Sequence, residues 1–533
     1  MNTAIELSLF VSRLEAICSE MGVVLRRSAF SPNIKDRLDF SCALFDAQGR
    51  LCAQAAHIPV HLGSMAFAME QLVQAFAWEA GDTVILNDPF KGGTHLPDVT
   101  LITPAFAGDA LLGFVVNRAH HANIGADTPG SMPNASRLEE EGLLLSPQYL
   151  VRAGQVNAPL CAELARALGL PPPAAERLPD GDFTAQYSAN QVGLRRLLAL
   201  AERLGLAALR HSLDALQDYG AALAHNALQA LPQGSWHFAD CMDDDGQGNT
   251  DIRIALTLRI GAEGMTADFS GTSPQVRGNI NCPLAVTAAA VFYVLRCLLP
   301  AQAPTCAGLF RPLHLVAEPG SLVHARYPAA VAAGNVETSM RIVDVMLGAL
   351  RQALPERIPA ASQGTMNNVA MGARPENGGA WDYYETLAGG IGGGPAGRGM
   401  DAAHSHMTNT LNTPVESLEL HYPLRVRRYA LRHGSGGAGQ HAGGAGLVRE
   451  YEFLGPTVVS LLTERRRYAP WGVAGGEAGQ PGENLLNGKP LPAKTSFEAE
   501  TGDVLCIATP GGGGWGAAVP VSEAGLHPSL AEQ

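Results

Sequence analysis

The sequence predicts a multidomain α+β fold, and three observations carry that expectation. Apolar residues recur at helical spacing in some segments and alternate in others, and the two patterns interleave along the chain. The length of 533 residues suits roughly two to four domains. Hydrophobic residues make up 46% and charged residues 16%, enough to fill a large core. The patterns mark an N-terminal α/β region over 1–232, a central helix-and-hairpin region over 233–415, and a β-rich, glycine-rich region over 416–533.

In chain order, Ile5, Leu9, Leu14, Ile17, Met21 and Val24 predict a helix over 4–27. Phe40, Cys42 and Leu44 then alternate, and "DAQG" turns that strand into a hairpin. A helix follows, opened by Ser64 and closed by Gly81. "TVILNDPF" reads as a strand running into a polar loop, and 99–106 and 111–117 as two further strands joined by "AGDA". Residues 133–180, rich in Glu, Pro and Leu, are expected to cross the surface, and 185–231 to be helical. "DIRIALTLRI" and "GMTADFS" form a second hairpin. "GTSPQVRGNINCP" is a polar loop, helices return at 284–298 and 336–350, and strands dominate from 417. Four glycine-rich stretches, "GGIGGGPAGRG", "GSGGAGQHAGGAG", "GVAGGEAGQPG" and "PGGGGWG", read as turns and close-approach loops.

Composition narrows the function classes. Fifty acidic against 37 basic side chains give a charge of −13, which repels a polyanion, and the basic run "ERRRYAPWG" is short. No nucleic-acid partner is expected. No apolar run reaches the ~18 residues of a membrane span, and 283–300, the nearest, holds Arg296 and is bracketed by prolines. The first residues read as an amphipathic helix rather than an export signal. With nine scattered cysteines and no CxxC pair, this suggests a cytoplasmic protein with reduced thiols.

The chemistry concentrates at two strand ends, "FKGGTHLPDVT" and "NRAHHANIGAD". If strands 99–106 and 111–117 are antiparallel neighbours, Asp98 and His120 share one open end, with the loop bearing His95 beside them. Two imidazoles and a carboxylate suit a catalytic divalent ion: zinc first, with manganese or iron as alternatives. Three protein ligands leave a position for water or substrate. Consecutive residues on a strand face opposite ways, so only one of His120 and His121 belongs beside the ion. The bland alternative is that Asp88 caps an Asn-Asp-Pro turn and that the histidines bond backbone carbonyls. Asp127 follows the second cluster.

Other polar clusters leave both readings open. His57 and His61 flank Pro59, which breaks a helix between them, and "DRLDFS" offers Asp36 and Asp39 to orient a histidine or pair with Arg37. His404, His406, Asn409 and Asn412, with Asn335, Glu337, Gln363, Thr365, Asn367 and Asn368, match the alternating C=O and N–H groups of an imide ring. They also suit a satisfied buried network. "GENLLNGKP" lacks nucleotide-loop spacing, so any ATP would bind a separate partner protein.

The stretches "SPNIKDRLDFSCALFDAQGRLCAQAAHIPVHLGSM", "NDPFKGGTHLPDVTLITP", "NRAHHANIGADTPGSMP", "ADFSGTSPQVRGNINCP", "ASQGTMNN", "MTNTLNTPVE" and "PGGGGWG" resemble the hydantoinase B/oxoprolinase family over roughly residues 4–517. The resemblance implies an ATP-dependent cyclic-amide hydrolase that works in a hetero-oligomer containing dimers of each chain. A hydantoinase A-type partner binds ATP with magnesium and phosphorylates a small polar lactam or hydantoin. One divalent ion, on His95, Asp98 and His120, then serves ring opening in this chain. Asp88 or His121 is the candidate proton shuttle. The family pattern "HHADIGG" reads "HHANIGAD" here, with Asn123 in place of Asp and Ala126 in place of Gly. The same resemblance admits a subunit of an ATP-dependent ketone carboxylase, or a non-catalytic scaffold.

Overall fold

The computed structural model of the protein describes residues 4–55, 57–126, 128–174, 177–179, 181–374 and 379–518. Among the described residues it is a mixed α and β structure with four sheets. The first sheet contains β1 (Phe40–Asp46), β2 (Leu51–Gln54), β3 (Thr83–Leu86), β4 (Asp98–Ala107), β5 (Ala110–His120), β6 (Gln148–Arg152) and β7 (Gln155–Val156), in the order β2-β1-β5-β4-β3-β6-β7. Every neighbouring pair is antiparallel.

The two-residue period explains how this sheet is clad. Cys42, Leu44, Val115 and Ala119 face one core cluster, shared with the helices Ala4–Ser28 and Asp182–Leu204. Ala43, Phe45, Phe114 and Val116 face the other, against the helix Pro59–Gln74. Both faces are covered, so β1 is buried along its whole length.

That third helix differs from the sequence expectation. It starts at Pro59 and ends at Gln74 rather than running from Ser64 to Gly81. Proline suits the first helical turn, where its missing N–H has no acceptor to satisfy. Pro59 therefore opens the helix instead of breaking it, and places His61 in its first turn. Ser64 lies inside the helix, donates to the Val60 carbonyl (2.7 Å) and accepts from Arg118 Nη1 (2.6 Å). Residues 133–180 also depart from a surface crossing. They supply β6 and β7 to the sheet and bury Leu138, Leu145, Leu150 and Val151.

The remaining helical and hairpin expectations match. Helices Asp182–Leu204 and Leu206–Gln229 meet at Gly205, and Leu284–Leu298 is a helix. β8 (Gly234–Asp244), β9 (Thr250–Gly261) and β10 (Gly264–Asp268) form a meander, extended by β11 (Leu313–Val316) in parallel with β10. The helix Ser339–Ala353 packs on β8 and β9 and is preceded by a π-helical turn, Gly334–Thr338.

β12 (Asn368–Ala373) and β13 (Trp381–Thr386) lie before residue 415. After it come β14 (Leu424–Arg432), β15 (Gly446–Phe453), β16 (Thr457–Leu462), β17 (Glu483–Leu486), β18 (Lys489–Pro490), β19 (Lys494–Ala499) and β20 (Val504–Ala508). One sheet runs β13-β12-β16-β19 and the other β14-β15-β20-β17-β18. The first draws strands from both sides of 415, so a boundary there passes through a sheet.

Two sequence features are absorbed structurally. In the basic run, Arg465 donates to Asp344 and to Asp240, Arg466 donates to Asn367 Oδ1 (2.6 Å), and Glu464 pairs with Arg341 and Lys494. The glycine-rich stretches come together backbone to backbone. Gly390 donates to the Pro510 carbonyl, Gly393 to Gly513, Gly512 to Gly444 and Gly514 to Glu477, each at 2.8–3.0 Å. Among the described residues, no helix is long and apolar enough to cross a membrane. The cysteines are free thiols, mostly buried.

Candidate metal centre

The register between β4 and β5 builds the site. Asp98 opens β4, His120 closes β5, and the two are directly paired. His95 stands three residues before Asp98, on the loop leaving β3. Gly93 turns that loop, and a Cβ there would lie 2.3 Å from the Asn87 carbonyl oxygen. Arg118 ties the loop to the sheet: Nε donates to Thr100 Oγ1 and Nη2 to the Gly92 carbonyl, both at 2.8 Å.

Asp98 Oδ1 lies 3.2 Å from His95 Nε2 and 3.3 Å from His120 Nδ1. Ligand atoms of these three residues all fall within 4.8 Å of one another. Asp98 Oδ2 is taken up by Thr94 Oγ1 at 2.5 Å, His61 Nε2 at 3.2 Å and Asn335 Nδ2 at 3.5 Å. The carboxylate is thus anchored by one oxygen and presents the other. His95 Nδ1 lies 3.3 Å from the Ala332 carbonyl, an acceptor that holds the proton on Nδ1 and leaves Nε2 a lone pair. The His120 ring stacks on Tyr384, with centroids 4.7 Å apart and planes at 10°. Arg37 lies over the Tyr384 ring and donates to the Tyr384 carbonyl and Thr386 Oγ1.

Burial alone would raise the Asp98 carboxyl, but His61, His95 and His120 outweigh it and hold the group well below the usual carboxylate range. Burial pushes the His120 imidazole down. A buried carboxylate facing imidazole nitrogens is an arrangement that attracts a cation. The fit is also visible in hydrogen bonding: His95 Nε2 and Asp98 Oδ1, 3.2 Å apart, are both buried without a hydrogen-bond partner. Nitrogen and carboxylate donors match a borderline divalent ion.

Not every sequence candidate reaches this cluster. The Asp88 carboxylate caps the turn Pro89–Lys91, accepting from Phe90 N and Ser146 Oγ, both at 3.0 Å. His121 faces the opposite way from His120. It bonds Gln186 Oε1 at 2.9 Å and packs on Phe183. Both side chains make supporting contacts outside the cluster: strand alternation turns His121 away, and the Asn-Asp-Pro turn holds Asp88. His57 accepts from Cys42 N, and burial pushes it down to about 4. Glu337, Gln363, Asn367 and Asn368 hydrogen-bond within the core, the structural alternative. Asp127 lies outside the described residues. Three anchors of Asp98, namely His61, Thr94 and Asn335, are not in the expected ligand set. His61 becomes legible once Pro59 is read as a helix start. Thr94 and Asn335 carry no spacing signal.

A cavity of about 20 Å3 adjoins the centre, lined by Asp39, His61, His120, Asn335, Thr408 and Thr410 among others. That volume holds about one water and no cyclic amide.

The hydantoinase B/oxoprolinase family model matches residues 3–518. This chain belongs to that family. It is 38% identical to 5-oxoprolinase 1 of Arabidopsis thaliana, over 96% of its own length and 42% of that protein's. It thus spans less than half of the oxoprolinase relatives it matches. It is 32% identical to the B component of a putative D-/L-hydantoinase of Pseudomonas sp., over 96% of this chain and 90% of that one. Among solved structures, it resembles the ATP-dependent caprolactamase of Pseudomonas jessenii with TM-score 0.88 and 27% identity, covering 97% and 91% of the two chains. It shares its fold with acetone carboxylase, with TM-score 0.84, 16% identity, and coverage of 97% and 76%. At Asn123, where the family pattern carries aspartate, Oδ1 accepts from Gly125 N at 2.8 Å and Nδ2 donates to the Leu168 carbonyl. Its part is to fix a turn.

One further residue supports His95 from a distance. Glu141 Oε1 accepts the backbone N–H groups of Val331 and Ala332, at 2.8 and 2.9 Å, and so holds the carbonyl that His95 meets. Burial pushes the Glu141 carboxyl from 4.5 up to about 8. The folded chain therefore binds this proton more tightly than the unfolded chain. The associated stability is full below pH 4.5 and is lost as pH rises through 8. Glu141→Gln keeps the acceptor and removes the titration. Wild-type urea midpoints are expected to fall between pH 6 and 9, and the variant to show a shallower decline.

Proposed function

We propose that this chain is the metal-dependent B-type subunit of an ATP-dependent hydrolase of cyclic amides. His95, Asp98 and His120 hold one divalent ion, zinc first, with manganese or iron as alternatives. The observation that carries the reading is the buried cluster of His95, Asp98 and His120, whose ligand atoms lie within 4.8 Å of one another. The relatives named oxoprolinase and hydantoinase and the caprolactamase neighbour favour hydrolysis of a lactam or hydantoin.

The ion, when bound, supplies Lewis acidity and a counter-charge for the oxygen that develops negative charge. The chain's own residues do the rest. Asp98, pinned through Oδ2, keeps Oδ1 directed at the ion site. The Ala332 carbonyl fixes the His95 tautomer, and Tyr384 fixes the His120 ring plane. The burial of all three excludes bulk water and strengthens each electrostatic contact. ATP with magnesium binds an A-type partner, which phosphorylates the amide oxygen and so removes the resonance that protects the C–N bond.

The test is reconstitution with an A-type partner and a panel of lactams and hydantoins. ATP-dependent ring opening without added bicarbonate is the expected result. Turnover only on a ketone with bicarbonate would instead make the chain part of a carboxylase.

A further inference from the structure

Asn335 is the second residue of the π-helical turn Gly334–Thr338 and is 2% exposed. π turns interrupt the regular ladder and concentrate at functional sites. The amide has a fixed orientation. Its neighbour Asp98 Oδ2, at 3.5 Å, belongs to a carboxylate that can only accept. Nδ2 therefore faces Asp98, and Oδ1 faces away from it. Asn335 Oδ1 is buried with no hydrogen-bond partner. An unmet buried acceptor is destabilising, so its retention calls for a donor.

The space supplies one. Asn335 lines the cavity of about 20 Å3 beside the metal centre, together with Asp39, His61 and His120. This volume suits about one water and no larger donor, and a buried water needs two to four polar partners. Asn335 Oδ1 is one unpaired acceptor, and His120 Nε2 is a second orphaned atom on a lining residue. The hydroxyl-bearing Thr408 and Thr410 line the same space.

We propose that Asn335 positions the water that opens the ring, accepting one of its O–H bonds on Oδ1. The inference rests on the hydrolase reading. In the step it serves, the water oxygen bonds to the carbon of the phosphorylated amide. Both water protons end on the ring nitrogen as the C–N bond breaks. A second water then releases phosphate from the acyl phosphate left behind. Asn335 is a positioning residue: it orients the nucleophile and gives up no atom.

The experiment uses the metal-loaded complex with its ATP-binding partner and compares wild type with Asn335→Ala. Phosphorylation of the cyclic amide and its ring opening are followed separately. With the divalent ion held at saturation, the variant is expected to keep its KM for the cyclic amide and to lose about 100-fold in kcat for hydrolysis, the scale of one oriented hydrogen bond lost at a reacting group. Formation of the phosphorylated amide should stay near the wild-type rate, because that step precedes attack by the water that Asn335 orients. Asn335→Ser, which restores a short acceptor, should recover part of the hydrolysis. Equal loss of both steps, a raised KM at unchanged kcat, or full hydrolysis by Asn335→Ala would each overturn the assignment. A wild-type complex that opens no cyclic amide with ATP would sink the hydrolase reading itself. Wild-type turnover with an indifferent variant sinks only the role of Asn335.

Discussion

Asp98→Asn is expected to leave a folded chain that binds its divalent ion more than about 100-fold more weakly and opens no ring at a measurable rate. Residues behind metal ligands typically cost 10–100-fold when changed, and a ligand should exceed that. The geometry explains why an isosteric change is so damaging. Thr94 Oγ1, His61 Nε2 and Asn335 Nδ2 all address Oδ2. An asparagine must place its oxygen there to accept from them. Its NH2 then occupies the Oδ1 position, 3.2 Å from His95 Nε2, where it opposes a cation. Titration calorimetry with zinc and with manganese, beside a thermal melt, measures both halves of the expectation. Wild-type affinity in the variant would contradict it.

Gly512→Ala is expected to prevent stable folding, at a cost above the 1–3 kcal/mol usual for overpacking. An added Cβ would lie 2.1 Å from the Ile391 oxygen and 2.3 Å from its carbon. Relief requires backbone movement, yet Gly512 donates to the Gly444 carbonyl and accepts from Gly437 N. The neighbouring stretches are therefore locked to each other and cannot yield separately. Gly261→Ala is the control, because its Cβ would meet nothing within 4 Å. Its denaturation midpoint should stay near wild type, within ~0.5 kcal/mol. A soluble, cooperative Gly512→Ala chain with an unchanged midpoint would contradict the close-packed reading of the glycine stretches.

Much of the fold was legible because its periodicities are strong. The hairpin of β1 and β2, the pairing of β4 with β5 and the helix Leu284–Leu298 follow directly from apolar spacing. The Asp98–His120 pairing was legible too, since two strands joined by a short turn must bring those ends together. Other features depended on three-dimensional context. Pro59 gave a correct local signal that fits both a helix break and a helix start. The strand β6 hides among Glu and Pro residues because its apolar core, Leu150 and Val151, is too short to set a period. The glycine stretches announce close approach but not their partners. His121 was separable from His120 by strand alternation alone, but the commitment of its ring to Gln186 was not. Asn335 looked like one of many amides, and only its carboxylate neighbour and orphaned oxygen set it apart.

The most direct test of the metal centre is elemental mass spectrometry of the chain purified without chelator or nickel resin, beside His95→Ala and His120→Ala. The account predicts about one zinc, manganese or iron per wild-type chain, and loss of that metal in both variants while they remain folded. A wild-type chain that holds no divalent ion, even after incubation with each metal, or variants that retain it in full, would contradict the centre and leave these histidines with structural or substrate contacts alone.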